Sequence, residues 1–219
     1  MTLQRSFIFG APLLLAVVSA IALAQSAGQL PADVRADSLA RLPYLQRQNL
    51  DEAGQQIFDQ LPGRGANGLG GPLAFAAYNP GVAKALFDLH NAAVGGALNA
   101  HVRELAILVA CRETNYNLEW NGHEPSAVRA GVDAKVIDAV SRKSALTGLP
   151  EQDAVIIRFG RQLYTDRKVD SATFAKVVEQ LGQRGAMDLV AVMNTYAVSG
   201  FYAIAVDEHS PAGKPSLER

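Results

Sequence analysis

Two side chains with acid–base chemistry, Glu119 and His123, are four residues apart in a segment whose sequence favours a helix. Residues at i and i+4 share one face of an α-helix, so a carboxylate would adjoin an imidazole. A neighbouring carboxylate raises the proton affinity of an imidazole and fixes its tautomer. Such a pair can move a proton to or from a substrate, although the same spacing is common in solvated surface pairs.

Glu104 lies in the preceding stretch of helical periodicity, residues 101–114, whose apolar stripe includes Leu105, Leu108 and Val109. If the two helices pack antiparallel, Glu104 can face His123 and extend the pair into a proton relay. Trp120 is more often a core or interface residue than a platform for a substrate.

Other site classes are disfavoured by the motifs that are missing from the sequence. The four histidines are scattered without HExxH or paired-His spacing, which argues against a bound metal. No GxSxG elbow, Rossmann fingerprint or phosphate loop occurs, so no cofactor is expected. Cys111 is the single cysteine, which excludes an internal disulfide and a CxxC pair; a buried, inert thiol is its expected state. A net charge of -1 gives no basic excess for nucleic-acid binding.

The N-terminal residues have the layout of a secretory signal peptide. Arg5 is followed by an apolar run from Phe7 to Leu23 that ends in Ala22-Leu23-Ala24. Cleavage after Ala24 is expected, with a periplasmic or secreted mature protein that has no membrane segment. An uncleaved membrane anchor is the alternative, because the run approaches the length of a membrane span.

Helical periodicity dominates the rest of the chain, and no convincing strand is found. The expected organisation is a signal peptide (1–24), an extended lead-in (25–43), an all-α domain of antiparallel helix hairpins (44–207) and a tail (208–219) that is loose or docked on a neighbour. Gly and Pro make residues 62–72 a loop, and Pro125 is expected to kink or split its helix. Helices are predicted at 50–61, 79–93, 101–114, 118–130, 133–143, 149–166, 171–182 and 186–205.

One segment resembles the carboxymuconolactone decarboxylase family, a group within the AhpD-like superfamily. The resemblance is carried by Arg103-Glu104-Leu105-Ala106-Ile107-Leu108, then Glu119-Trp120 and His123, then Ala130-Gly131-Val132. It extends loosely over most of the mature chain. It implies an AhpD-like helical bundle and a homo-oligomer, commonly a trimer or hexamer, with sites near subunit interfaces.

The resemblance implies two chemistries. In the alkylhydroperoxidase branch a CxxC pair is followed by a histidine, with an upstream glutamate as proton relay; His123 and Glu104 match the last two groups. Tyr116 and Glu119 stand where the two cysteines would be. Without those thiolates the peroxide-reducing mechanism is excluded.

The decarboxylase branch removes a carboxylate as carbon dioxide and delivers a proton to the resulting dienolate. By this resemblance His123, polarised by Glu119 and Glu104, is the expected proton donor of a cofactor-free carboxy-lyase. Arg103 is the expected holder of a substrate carboxylate, Tyr116 adds a hydrogen bond, and Trp120 completes the predicted substrate-binding set. Arg103 can equally pair with Glu104 or Glu119.

Catabolism through that lactone is normally intracellular, whereas this chain is expected to be exported. Another small acid or lactone is therefore the expected substrate. Two alternatives stay open at this point: a non-enzymatic binding or assembly protein of the cell envelope, and a redox protein that uses Cys111 alone.

Overall fold

The fold is known from a computed structural model that describes residues 30–61, 64–65, 68–69, 74–211, 213–214 and 217. The predicted signal peptide lies outside the described residues. The helices belong to a compact unit, Val34–Arg219, and the expected all-α class is confirmed. In chain order they are α1 (Glu52–Phe58), α2 (Pro80–Val94), α3 (Ala100–Glu113), α4 (Asn117–Arg129), α5 (Ala134–Ser141), α6 (Glu151–Arg161) and α7 (Ser171–Ala205).

Most helices begin at a side chain that caps a free backbone N–H. Asn79 accepts a hydrogen bond from the amide of Val82, and Pro80 takes the first helical position. Asn99 caps α3 in the same way, with an oxygen 2.9 Å from the nitrogen of Val102. The predicted stop after α4 is confirmed, because Gly131 adopts φ 84°, which a glycine enters without steric cost.

Helix α3 is the centre of the bundle. Nine of its fourteen residues are buried, and they lie all round the helix rather than along one stripe. Helices α4, α5, α6 and α7 pack around it. Gly160 on α6 permits close approach, because a Cβ at that position would stand 2.3 Å from a methyl carbon of Val109 on α3.

Several details differ from the sequence-based predictions. Helix α4 runs through Pro125 as one element, so of the predicted kink or split the split does not occur; buried neighbours such as Trp120 and Ala127 hold both halves against the core. Residues Gln162–Asp166, the end of the predicted helix 149–166, form a short π-helix that follows α6. The predicted break between the last two helices is confirmed, because Gly182 (φ 72°, ψ 171°) is non-helical and divides α7 into two segments. Residues Arg64–Gly65 and Gly68–Leu69 form a two-residue antiparallel pair, β1 and β2, that was not expected.

Both flanks of the helical domain pack on it where the structure describes them. Residues 34–44 form turns and bends where the sequence predicted extended backbone, and the amide of Arg41 donates to the carbonyl of Val206. The amide of His209 donates in turn to the carbonyl of Leu39. Leu217 is buried, and its amide lies 2.7 Å from Oδ1 of Asn117. At Leu217 the chain therefore packs on its own domain, because this residue supplies an apolar side chain to the core.

Within the described ranges, no helix combines the length and apolar character that crossing a membrane requires.

Candidate active site

The α3–α4 hairpin positions the predicted acid–base residues. Helix α3 ends at Glu113, and Asn115 takes a left-handed conformation, φ 51°, that a short polar side chain tolerates. The amide of Tyr116 then donates to the carbonyl of Cys111, 2.8 Å away, which closes the turn. The chain reverses within three residues, so α4 runs back along α3.

This reversal brings Glu104, Glu119 and His123 together. Nδ1 of His123 lies 2.8 Å from Oε2 of Glu104, and Nε2 lies 3.3 Å from Oε2 of Glu119. The imidazole is therefore held between two carboxylates, one from each helix. The side chain of His123 is 23 % exposed and those of Glu104 and Glu119 about half as much. The expected contact between Glu104 and His123 is confirmed.

The two carboxylates keep this imidazole charged. Burial by itself lowers the pKa of His123, but the hydrogen bonds and negative charges of Glu104 and Glu119 outweigh it and raise the pKa to about 9. At neutral pH both ring nitrogens carry protons, so His123 is a hydrogen-bond donor on both sides. A group in that state can give a proton but cannot take one.

Arg103 and Tyr196 complete the surroundings of His123. Nε of Arg103 lies 3.8 Å from Oε1 of Glu104, and the Arg103 side chain is 28 % exposed. Two cations and two carboxylates thus sit together, and the guanidinium keeps access to solvent. The ring of Tyr196 on α7 meets the imidazole edge to face, with centroids 5.0 Å apart.

The structure does not bring every predicted substrate-binding residue to this point. Trp120 packs in the main core, 4 % exposed, and its Nε1 donates to Glu124, so its ring faces are not open to a substrate. The hydroxyl of Tyr116 is directed to Oε2 of Glu208, 3.2 Å away. Cys111 is fully buried on α3, and burial raises the pKa of its thiol well above the ordinary value.

Three residues of this region escaped the sequence analysis: His90 on α2, Tyr196 on α7 and Glu208 after α7. His90 lies across the Tyr196 ring, with centroids 5.6 Å apart. These residues are separated from Glu119 by tens of positions in the chain, and none belongs to a local motif. No local sequence pattern could have identified them, because only the packing of α2 and α7 brings them close to His123 and Tyr116.

Glu208 and Tyr116 line a cleft of about 330 Å³ between the start of α4 and the end of α7. Burial raises the pKa of Glu208 to about 7, and the charge of Glu119 adds to that effect, against hydrogen bonds from Tyr116 and Tyr44 that lower it. The cleft is also lined by Thr114, Asn115, Asn117, Gly200, Ala203, Ile204 and Asp207.

Replacing Glu208 with glutamine is expected to stabilise the protein above about pH 7 and to have little effect near pH 4.5. The pKa of Glu208 is higher in the folded protein than in the unfolded chain. The contribution of the protonated Glu208 carboxyl to the free energy of unfolding is therefore present at low pH and lost as pH rises through 7. The gain should be about 1–2 kcal/mol, less than the full pKa shift implies, because the side chain is partly exposed. Urea unfolding at both pH values measures it, and an equal effect at both would contradict the assignment.

In the described part of the chain, no three His, Cys, Asp or Glu side chains are grouped in a way that could hold a metal ion.

Comparison with known proteins identifies the central region. The sequence profile of the carboxymuconolactone decarboxylase family matches residues 80–156, which include α2, α3 and α4. No curated protein sequence matches the chain.

Two solved structures share the fold. One is an alkylhydroperoxidase AhpD core described as an uncharacterized peroxidase-related protein from Ralstonia eutropha JMP134: TM-score 0.60, 20 % identity, covering 80 % of this chain and 93 % of that one. The other is a variant of the debrominase Bmp8 in complex with 2,3,4-tribromopyrrole: TM-score 0.57, 15 % identity, covering 78 % of this chain and 91 % of that one. At these identities the likeness establishes the fold. Residues 80–156 therefore match the carboxymuconolactone decarboxylase family model and lie within a helical fold like that of the AhpD core, in a chain that has no CxxC pair.

Proposed function

We propose that this protein is a cofactor-free lyase that acts on a small carboxylated or lactone substrate, with His123 as the proton donor. The observation that carries the proposal is the imidazole held at 2.8 and 3.3 Å between Glu104 and Glu119. This arrangement raises the pKa of His123 to about 9, so the donor is charged at neutral pH. The family match over residues 80–156 agrees with this reaction class.

The positive charge of His123 at neutral pH suits it to protonate a carbanion left by the loss of carbon dioxide. When the carbon–carboxylate bond of a lactone acid breaks, carbon dioxide leaves and the electron pair moves into the ring as an enolate or dienolate. The lactone carbonyl accepts that charge. The carbon then takes a proton from Nε2 of His123. This nitrogen lies 3.3 Å from Glu119, a longer contact than the 2.8 Å between Nδ1 and Glu104, so it more easily gives up its carboxylate partner for the substrate. Water returns the proton to His123.

Arg103 is the group we assign to the substrate carboxylate. Its guanidinium reaches Glu104 only at 3.8 Å and remains 28 % exposed, so it can pair with an incoming anion. Placing the carboxylate there would orient the bond that breaks beside the imidazole.

A redox function at Cys111 has less support. The thiol is fully buried, and its pKa is raised well above the ordinary value, whereas reactive cysteines are exposed and have a lowered pKa. The carboxylates of Glu119 and Glu104 add to that rise.

Carbon dioxide release from 4-carboxymuconolactone and related small lactone acids tests the proposal. The wild-type protein should release it, and His123→Gln should do so about 100-fold more slowly. His101→Gln is the matched control, because His101 is also partly exposed and lies 2.7 Å from a carboxylate, that of Asp153. Unchanged release by His123→Gln, or no release by the wild-type protein from any lactone acid, would overturn the proposal.

We also propose that the mature protein is exported and forms a homo-oligomer. Export rests on the N-terminal pattern ending at Ala24; N-terminal sequencing of the protein from the cell envelope would test it. The oligomer is supported by large apolar side chains that the single chain leaves exposed, among them Phe201 at 60 % and Val128 at 58 %. Light scattering after size exclusion measures the assembly, and a monomer would contradict it.

A further inference from the structure

His123 by itself cannot serve every step of acid–base chemistry. Both of its ring nitrogens contact carboxylates, Nδ1 with Glu104 and Nε2 with Glu119. It is a proton donor at neutral pH, and a reaction that begins with loss of a proton from carbon needs a separate base. That base must be neutral and must have a free nitrogen.

His90 meets this requirement. It projects from α2 against Tyr196, and the same tyrosine ring contacts His123 at a centroid distance of 5.0 Å. Among the described residues, neither ring nitrogen of His90 forms a hydrogen bond. The two imidazoles therefore both lie against the Tyr196 ring. Both nitrogens of His123 contact carboxylates, whereas the nitrogens of His90 have no hydrogen-bond partner among the described residues.

The charges around His90 keep it neutral. Burial lowers its pKa, the carboxylate of Glu119 on α4 opposes that, and the positive charge of His123 lowers the pKa again. From α7 the neighbour is Tyr196, and on its own helix Asp88 is paired with Lys84 at 2.7 Å. Adjacent groups whose surroundings push their pKa values apart are the usual basis for separate acid and base roles.

We propose that His90 is the general base of this site, and that the substrates include small carbonyl compounds with an ionisable C–H bond next to the carbonyl. The proposal rests on the proposed function only in using His123 as the charged partner. It adds a proton-abstraction step that decarboxylation does not need.

The step balances without a cofactor. The neutral imidazole of His90 takes the proton, the C–H electron pair moves into an enolate, and the enolate oxygen accepts a hydrogen bond from Nε2 of His123. Return of a proton to the same carbon gives exchange with solvent, and delivery to the far end of a conjugated system moves the double bond. No oxidant or reductant takes part.

Deuterium exchange tests this directly. The probe is α-angelica lactone, a neutral unsaturated γ-lactone without a carboxylate to lose, incubated with the protein in D2O and followed by proton NMR. The wild-type protein should accelerate exchange at the carbon beside the carbonyl. His90→Gln should reduce that acceleration about 100-fold, while His101→Gln retains it.

The pH profile separates a base from a merely structural residue. Exchange by the wild-type protein should rise with pH through the pKa of His90, which is below 6.5, and fall through the His123 pKa of about 9. His90→Gln should lose the acid limb, and His123→Gln the alkaline limb. His90 is half-buried, so its replacement could affect stability as well as the reaction. The melting temperature of His90→Gln checks that the variant folds, and His90→Asn provides a second replacement.

The outcomes distinguish the two proposals. Wild-type exchange no faster than buffer, or exchange by His90→Gln at the wild-type rate, would overturn the role of His90. Exchange that is lost in His90→Gln and kept in His101→Gln supports it. If no lactone acid is decarboxylated but exchange depends on His90, the lyase proposal fails and the role of His90 stands.

Discussion

Replacing both Glu104 and Glu119 with glutamine is expected to lower the pKa of His123 from about 9 to below 6.5. Burial lowers this pKa, and only the two carboxylates oppose it, so their removal leaves burial unopposed. The single replacements should give intermediate values. Glu104→Gln should have the larger effect, because its carboxylate lies 2.8 Å from the ring and that of Glu119 lies 3.3 Å away.

Nuclear magnetic resonance of protein with 15N-labelled histidine measures this pKa without any substrate. The signal of His101, which contacts Asp153 on α6, is present in all variants and serves as an internal reference. In the double variant the protonated fraction of His123 at about pH 7.5 falls to a tenth or less, and carbon dioxide release should fall about tenfold or more with it. A pKa that stays near 9 in the double variant would show that another group charges the ring.

The wild-type protein is expected to lose about 3 kcal/mol of unfolding free energy between pH 6.5 and about pH 9.5 through His123. The folded-state pKa of about 9 exceeds the unfolded value of 6.5. The stabilisation is therefore complete below pH 6.5 and disappears as pH rises through 9. The figure is an upper estimate of the contribution of a side chain that is 23 % exposed.

Urea unfolding of the wild-type protein and His123→Gln across this range isolates the contribution. Other groups also contribute at the alkaline end, because burial raises the folded-state pKa values of Tyr116, Tyr164, Tyr196 and the Cys111 thiol above the ordinary values of 10.0 and 9.0. Both proteins share these groups, so only the difference between the two curves reports His123. That difference should shrink with rising pH, and parallel curves would contradict the assigned ion pairs.

Local residue types made much of this domain predictable. Asn79-Pro80 and Asn99 mark helix starts whatever surrounds them, and Gly131 marks a stop, because capping and positive φ depend on adjacent atoms. The spacing of Glu119 and His123 places both on one face of α4 for the same reason. The contact of Glu104 with His123 needed one further assumption, that α3 and α4 are antiparallel, and the short connection between them makes it so.

Predictions from neighbouring residues failed where contacts with distant segments of the chain determine the structure. Pro125 removes one hydrogen bond from α4, but side-chain packing against α3 keeps the helix continuous. Trp120 was included among substrate-binding residues, yet the hydrophobic core buries it. The tail residues 208–219 have a composition typical of loose ends, yet Leu217 is buried and Glu208 reaches Tyr116.

Residue types within a few positions of each other were enough to predict the helical class, the central region that resembles a known family, and an acid paired with an imidazole one turn apart. The contact of Glu104 with His123 could be predicted only on the assumption of antiparallel helices, whereas the rise in the pKa of His123 to about 9 and the positions of His90 and Tyr196 beside it came from the packing of distant segments. Burial and charge–charge distances depend on how α2, α3, α4 and α7 pack, and no local pattern in the chain encodes those distances.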